Sequence, residues 1–268
     1  MSALTFRLKG EPDERIDCSS LVPDRLKSLG SSEIEKLPVG TTKRGLVAGD
    51  VFEISGDDAA DIRFEGGSSR LDRIGERMSE GAIRVSGDAG FRVGRVMSGG
   101  DLQVEGSVGD LCGSGLEGGC IRVKGDCGAK LGGPDAGEMK GMSGGTIRVH
   151  GNAGERAGDR MRRGTILIDG DCGKDAASRM IAGTLIVGGH ARGAPGRLMK
   201  RGTLLLMGGA ERFTPTFVDA GVHDLLILKL MADGLRETFG DVPFDGSAMR
   251  KMSGDTAVLG LGEVYLPA

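Results

Sequence analysis

The chain has 268 residues, the size of one large domain or one domain with appendages. Its 50 glycines far exceed the usual share of about 7%. They are spread along the chain without a G-X-Y period, which excludes collagen and a flexible linker. Aromatics make up 3%, too few to fill a thick globular core, and a formal net charge of −3 removes any general attraction to nucleic acid or anionic lipid.

Residues 1–45 are mixed in charge and irregular, and read as a lead-in or cap. Met1 to Glu14 lacks the apolar run of a signal peptide. No segment reaches the roughly 18 apolar residues that would span a membrane. The five cysteines are an odd number without a Cys-x-x-Cys. A cytoplasmic protein is expected.

From residue 46 a repeat begins. Two divergent units carry Phe52/Ile54 and Ile62/Phe64. Then the frame M-x-x-G-x-[IL]-x-[VIL]-x-G-x-small-G recurs from Met78, with marks at Met97, Leu116, Met142, Met161, Met180 and Met199. The interval is 19 residues, except for an insert of seven between Leu116 and Met142, near Gly133 to Lys140. Each unit places two aliphatics one residue apart: Ile83/Val85, Leu102/Val104, Ile121/Val123, Ile147/Val149, Ile166/Ile168, Leu185/Val187 and Leu204/Leu206. Period-two alternation bounded by glycine is a short strand with one face inward. One strand per 19 residues is too sparse for tight hairpins. It fits a chain that circles once per repeat and lays each strand parallel on the last, an all-β parallel β-helix of about nine coils over residues 46–210. At about 4.8 Å per coil the rod is roughly 40 Å long. Residues 211–268 are expected to form a C-terminal cap, with a helix over Val222 to Phe239, a loop around Pro243 and further strands in TAVLGLGEVYL.

Aligned by repeat, most conspicuous residues become rungs. Ala89, Val108, Cys127, Ala153, Cys172 and Ala191 form a small-residue column. Gly94, Gly113, Gly132, Gly158 and Gly196 form a column of corners that Ala177 interrupts. The cysteines show no zinc or iron–sulfur spacing. His150, His190 and His223 share no column and read as surface or capping residues. The glycine runs lack the Lys-Ser/Thr of a phosphate loop, and the period is wrong for calcium-binding β-rolls. No catalytic, cofactor or metal residue is therefore assigned to this chain.

Three departures from the pattern remain. The middle strand residue is polar in early units (Arg63, Arg84, Gln103, Arg122, Arg148) and apolar in the last (Leu167, Ile186, Leu205). A strand apolar on both faces is covered on both faces. The cover is either the C-terminal helix or a partner protein, so these three are candidate interface residues. The insert, with Pro134, Asp135 and Glu138, is a second candidate contact. The third departure is a basic corner beside the Met column: Arg160, Arg162, Arg163, Arg179, Arg197, Lys200 and Arg201. Stacking brings these cations together, which costs repulsion unless an anion or acidic partner answers.

The repeat with GMSGGTIRVHGNAG at Gly141 to Gly154 resembles the C-terminal β-helix domain of large-chain glutamate synthase. It resembles more fully the C subunit of formylmethanofuran dehydrogenase, because EIEKLPVG (Glu33 to Gly40), GDVFEISG (Gly49 to Gly56) and LDRIGERMSEGAIRVSGDAG (Leu71 to Gly90) match that protein in order and spacing. The resemblance spans roughly residues 30–210. It implies a right-handed parallel β-helix acting as a non-catalytic structural subunit of a hetero-oligomer. In the bacterial formyltransferase/hydrolase complex, a formyl group passes from formyl-tetrahydromethanopterin to a methanofuran-type carrier and is released as formate. The chemistry there belongs to a formyltransferase subunit and a metal-dependent, amidohydrolase-like hydrolase subunit. In the archaeal tungsten or molybdenum complex, CO2 is reduced instead. The Arg-, Ala- and Gly-rich composition leans to the bacterial complex, with the archaeal dehydrogenase and a glutamate-synthase spacer domain as alternatives. The resemblance implies no cofactor on this chain; the basic corner is expected to meet an acidic partner or the glutamate-rich tail of the carrier.

Overall fold

The computed structural model describes residues 2–268. Thirteen strands form one sheet, and two short ones form another. The repeat strands are β6 (Ala82–Ser86), β7 (Asp101–Val104), β8 (Cys120–Val123), β9 (Thr146–Val149), β10 (Thr165–Ile168), β11 (Thr184–Val187) and β12 (Arg201–Leu206). Each pairs parallel with the next and in the same register, so Ile166 lies beside Leu185 and Leu185 beside Leu204. The insert does not disturb this: Ile121 still meets Ile147. The small-residue column forms a second set of parallel bridges, Ala89 to Val108 to Cys127 to Ala153 to Cys172 to Ala191, and continues to Ala210.

The alternating aliphatics from Ile83 to Leu206 and the column from Met78 to Met199 are inaccessible to solvent. Each such side chain contributes about 1.5–3 kcal/mol by leaving water, which is how a chain with few aromatics holds together. The corner glycines make room for this core. Gly113 has φ 62°, and a Cβ there would lie 2.4 Å from Ile147 Cδ1. At Ala177 the same backbone conformation persists, with φ 55°. The strand residues facing the later corners are Leu185 and Leu204 rather than Ile, and a Cβ at Gly158 would sit an ordinary 3.4 Å from Leu185 Cδ2. The corners at Gly158 and Ala177 therefore have room for a methyl that Gly94, Gly113 and Gly132 lack.

The ends depart from expectation. The leading segment is not wholly irregular: β1 (Ala3–Leu8) enters the main sheet, parallel to β4 (Asp58–Glu65), which carries Ile62/Phe64 and pairs parallel with β6. The Phe52/Ile54 unit, β3 (Phe52–Ser55), runs antiparallel to β1 at the sheet's edge and is not a parallel rung. Sheet neighbours are set by long-range pairing, which a local alternation cannot reveal. Phe6, Phe52 and Phe64 pack together, with centroids 5.2–5.8 Å apart, and close the core at that end. Around them lie β2 (Ile16–Asp17), paired with β5 (Leu71–Asp72), and single turns α1 (Pro23–Leu26), α2 (Ser31–Ile34) and α3 (Ala48–Val51).

At the other end β15 (Leu261–Pro267) adds parallel to β12, and β14 (Met249–Gly254) and β13 (Val218–His223) follow antiparallel. The helix α4 spans Leu226–Phe239, so Val222 and His223 belong to a strand, not to the helix. Pairing of β13 with β14, distant in sequence, overrides the apolar run that extended the helix pattern backwards. Leu228, Ala232 and Leu235, at helical spacing, pack on Leu167, Ile186 and Leu205, with Phe244, Met249 and Tyr265 completing a second core. Of the two covers that the sequence offered for the late strands, the chain's own helix occupies the face. Gly240, with φ 87°, ends the helix. Arg148, 3% exposed, anchors that end: its guanidinium donates to Phe239 O at 2.7 Å and to carboxylates of Asp169 and Asp241. A cation there also answers the negative end of the helix dipole.

Candidate functional site: a basic depression in the late coils

The two residues that follow the Met column alternate in character over three successive coils: Arg162 and Arg163, then Ile181 and Ala182, then Lys200 and Arg201. Stacking puts them around one depression of about 350 Å3, with Leu259 from the C-terminal loop on its wall. The basic pairs form two sides and the apolar pair lies between. No acidic residue lines it. Arg162, Arg163, Lys200 and Arg201 are exposed, and their side chains make no ion pair or hydrogen bond among the described residues. Four unanswered cations around an apolar strip can hold a carboxylate-bearing, partly apolar group, with long-range steering that salt weakens.

The remaining expected cations are engaged or elsewhere. Arg179 donates to Asp159 at 2.8 Å, and Arg156 also reaches it at 2.5 Å. Asp159 is wholly buried, and burial raises its carboxyl above the usual range although Arg156, Arg160 and Lys130 oppose this. Arg197 is exposed and lines a neighbouring depression with Arg156, Asp175, Ser178, Arg179 and Leu198. Arg160 turns towards the insert, 3.4 Å from Glu138 O and 3.6 Å from Met139 Sδ. The basic corner therefore divides into an unpaired depression and a paired, structural part.

The insert lies back on the early coils. Arg92 donates to Asp135 at 2.6 Å, and Arg95 approaches Asp135 at 3.3 Å and also pairs with Glu138. Glu76, itself buried, joins Arg95 and Arg73 at 3.1 Å each, and Arg73 reaches Asp17 at 2.8 Å. The Arg92 hydrogen bond chiefly holds the Asp135 carboxyl down, at about 2, with a backbone donor and Arg95 assisting against burial. Pro134 is buried beneath, while Met139 at the tip is 71% exposed. Sequence reasoning missed Arg92 and Arg95 as the insert's partners. The available signal was two arginines flanking one corner glycine in a stretch without acids, from Ala89 to Gly100. It missed Leu259 too, for which the repeat offers no signal.

The thiols are quiet. Cys18, Cys112, Cys127 and Cys172 are buried and Cys120 is half-buried. Burial pushes Cys18 and Cys127 up and takes Cys172 to about 12. His150 Nδ1 lies 2.8 Å from Asp169, while His190 and His223 touch backbone carbonyls. No group of three His, Cys, Asp or Glu is placed to hold a metal ion among the described residues. None of the helices in those residues is long and apolar enough to cross a membrane.

These features define a repeat-built, mostly β protein, organised on one largely parallel sheet. No family model matches the sequence. The chain is 57% identical over 265 residues to the C subunit of the formyltransferase/hydrolase complex Fhc of Methylorubrum extorquens, covering 98% of this chain and 99% of that one. It belongs to the family of Fhc C subunits. More distant likenesses cover about a third of the chain. The C subunit of the tungsten-containing formylmethanofuran dehydrogenase 2 of Methanococcus maripaludis is 29% identical over 92 residues, 34% of each chain. The C subunit of the molybdenum-containing formylmethanofuran dehydrogenase 1 of Methanosarcina barkeri is 32% identical over 83, which is 29% of this chain and 28% of that one. Among solved structures, the crystal structure of the FhcABCD complex of Methylorubrum extorquens with methylofuran contains a chain that superposes with a TM-score of 0.93. The superposition covers 98% of this chain and 99% of that one, with 43% identity.

Proposed function

We propose that this chain is the structural C subunit of a cytoplasmic formyltransferase/hydrolase complex, holding a formyltransferase subunit and an amidohydrolase-like hydrolase subunit together. In that complex a formyl group moves from formyl-tetrahydromethanopterin to a methanofuran-type carrier and leaves as formate, with the metal in the hydrolase subunit. The observation that carries this reading is the end-to-end match to the C subunit of Fhc, 98% of this chain at 57% identity. The archaeal dehydrogenase reading rests on matches to about a third of the chain and is the weaker one.

Within this reading residues 46–210 form a right-handed parallel β-helix whose parallel rungs run from β4 to β12, between a lead-in of residues 1–45 and a cap of residues 211–268. Support comes from the two parallel ladders, the strands and the small-residue bridges, which repeat at one interval as coils of a single winding would. Arg162, Arg163, Lys200 and Arg201, with Arg197 at the margin, are the contact for an acidic partner surface or the carrier's acidic tail. Pro134, Asp135 and Glu138 shape the insert as a second contact, presented through Met139. Arg160 and Arg179 support these surfaces, and Leu167, Ile186 and Leu205 support the helix that covers them.

Affinity purification of the tagged chain from its own cells tests the assignment. Co-purification of formyltransferase and hydrolase subunits is expected; recovery of iron–sulfur and tungsten- or molybdenum-pterin subunits instead would replace it with the dehydrogenase. Replacing Arg162, Arg163 and Arg201 by Glu tests the surface. Weaker assembly or carrier affinity, with a flatter salt dependence, is expected. No change in any of these leaves the depression as solvated surface.

A further inference from the structure

We propose that the outer face of α4 packs antiparallel on α4 of a second copy of this chain, about a two-fold axis at Leu230. The helix buries Leu228, Ala232 and Leu235, yet its first two turns also present Leu226, Ile227 and Leu230 to solvent at 69%, 60% and 58% exposure. In this half the helix is apolar on two faces, and the chain covers one of them. Gly234 follows Leu230 by one turn on the exposed side. Its φ is not positive, and a Cβ there would meet nothing within 4 Å. Nothing within this chain therefore requires glycine in the helix interior, where it weakens the helix. The open space beside Gly234 leaves room for a second helix to approach closely.

Leu226, Leu230 and Gly234 form one i, i+4 ridge. An antiparallel copy centred on Leu230 sets Leu226 against Gly234 of the other copy, large into small, on both sides of the axis. The charges beside the ridge agree. Asp224, Lys229, Asp233 and Arg236 alternate in sign, and the reversed order places Arg236 opposite Asp224 and Asp233 near Lys229. Within one chain the four pair locally, Lys229 with Asp224 at 2.7 Å and Arg236 with Asp233 at 2.8 Å; exposed Glu237, one turn beyond Gly234, adds a negative charge that the reversed copy sets near His223. Isologous two-fold pairing is the commonest closed arrangement of identical chains.

The neighbouring sheet edge does not compete as the pairing element. The β13–β14 register shifts at Asp219/Gly221, Gly221 N donates to Asp219 Oδ1 at 2.9 Å, and the His223 ring holds Ala220 O. These blunt the edge against another strand. Val218 and Val222, 56% and 50% exposed, extend the apolar surface beside the helix. Together the five exposed side chains offer on the order of 500 Å2 per copy, so a pair approaches the lower end of specific interfaces. A concentration-dependent dimer follows, strengthened where further subunits bridge the copies.

Sedimentation equilibrium of the full chain, and of the assembled complex, reads this directly. The unmodified chain is expected to associate reversibly. Leu230→Asp, which sets like charges at the axis, weakens association at least tenfold. Gly234→Leu does the same while the helix signal in circular dichroism is kept, because its own chain leaves that space open. Lys229→Asp weakens the pair, and the double swap Lys229→Asp with Asp233→Lys restores it. Leu230→Cys under mild oxidation with copper phenanthroline links two copies. A monomer at every concentration with one copy per complex, variants that leave association unchanged, or a Leu230→Cys cross-link to a different protein of the complex would each overturn the proposal.

Discussion

The early and late repeats share one parallel ladder and one register but solve the problem of their outer face differently. Up to β8 the outward residues are polar or charged, and the arginines are answered by neighbours in the ladder, Arg84 by Asp61 and Arg122 by Asp101. From β10 onward they are Leu167, Ile186 and Leu205, and a helix covers them. Arg148 stands at the boundary and ties that helix down. The inward pattern fixes the ladder. The outward pattern decides what lies on it, so half of each strand's alternation carries fold and the other half carries assembly.

The largest expected effect breaks the late solution. Ile186→Asp leaves a carboxylate without a partner between the sheet and α4. It should cost about 4 kcal/mol or more and expose residues beyond 207 to protease. The matching change in the early coils, Arg84→Ala, should stay within about 0.5 kcal/mol in denaturant titration, because its ion pair is exposed. Equal losses at the two sites would end the distinction.

Next come the corners. Gly113→Ala should cost about 1–3 kcal/mol, through its positive φ and the 2.4 Å approach to Ile147 Cδ1. Ile147→Val does not relieve it if the backbone strain dominates, so the double variant separates the two causes. Ala177→Gly should shift the midpoint little, since relief of the φ 55° conformation offsets the loss of a buried methyl.

Asp135→Asn loosens the insert over the early coils. The Asp135 carboxyl is held at about 2, below the ordinary 3.8, so its contribution is full above pH 4 and fades as pH falls towards 2. Solvent screening keeps this to about 1 kcal/mol. Unfolding between pH 5 and pH 2 should therefore lose pH dependence in the variant, and cleavage near Lys140 should quicken at neutral pH. Smallest in stability is reversal of Arg162 or Arg163, within about 0.5 kcal/mol by thermal melt, because these cations have no partner to lose.

The repeat strands, their register, both core columns and the place of the insert were legible from sequence, since a fixed interval turns each into a column. Leu167, Ile186 and Leu205 also declared a covered face. The sequence did not declare β1 beside β4, nor the antiparallel turn of Phe52–Ser55, because pairing between segments far apart leaves no local period. The helix start was misplaced at Val222 since a strand edge and a helix start are both apolar there. The depression was seen as seven cations; the structure separates four without partners from Arg179, which serves buried Asp159. Charge type is written in sequence, whereas ion pairing depends on neighbours one coil away.

The constant register makes each 19-residue unit an interchangeable rung of the ladder. Excising Thr165 to Gly183 joins Gly164 to Thr184 with every ladder partner replaced by its equivalent. The molecule then shortens by one strand spacing, about 4.8 Å, and α4 draws nearer to the insert by that step. The number of repeats thus sets the separation of the first and last strands of the ladder, one strand spacing at a time, while loss of Leu167 and Asp169 takes from α4 one of its supports and from Arg148 one of its carboxylates.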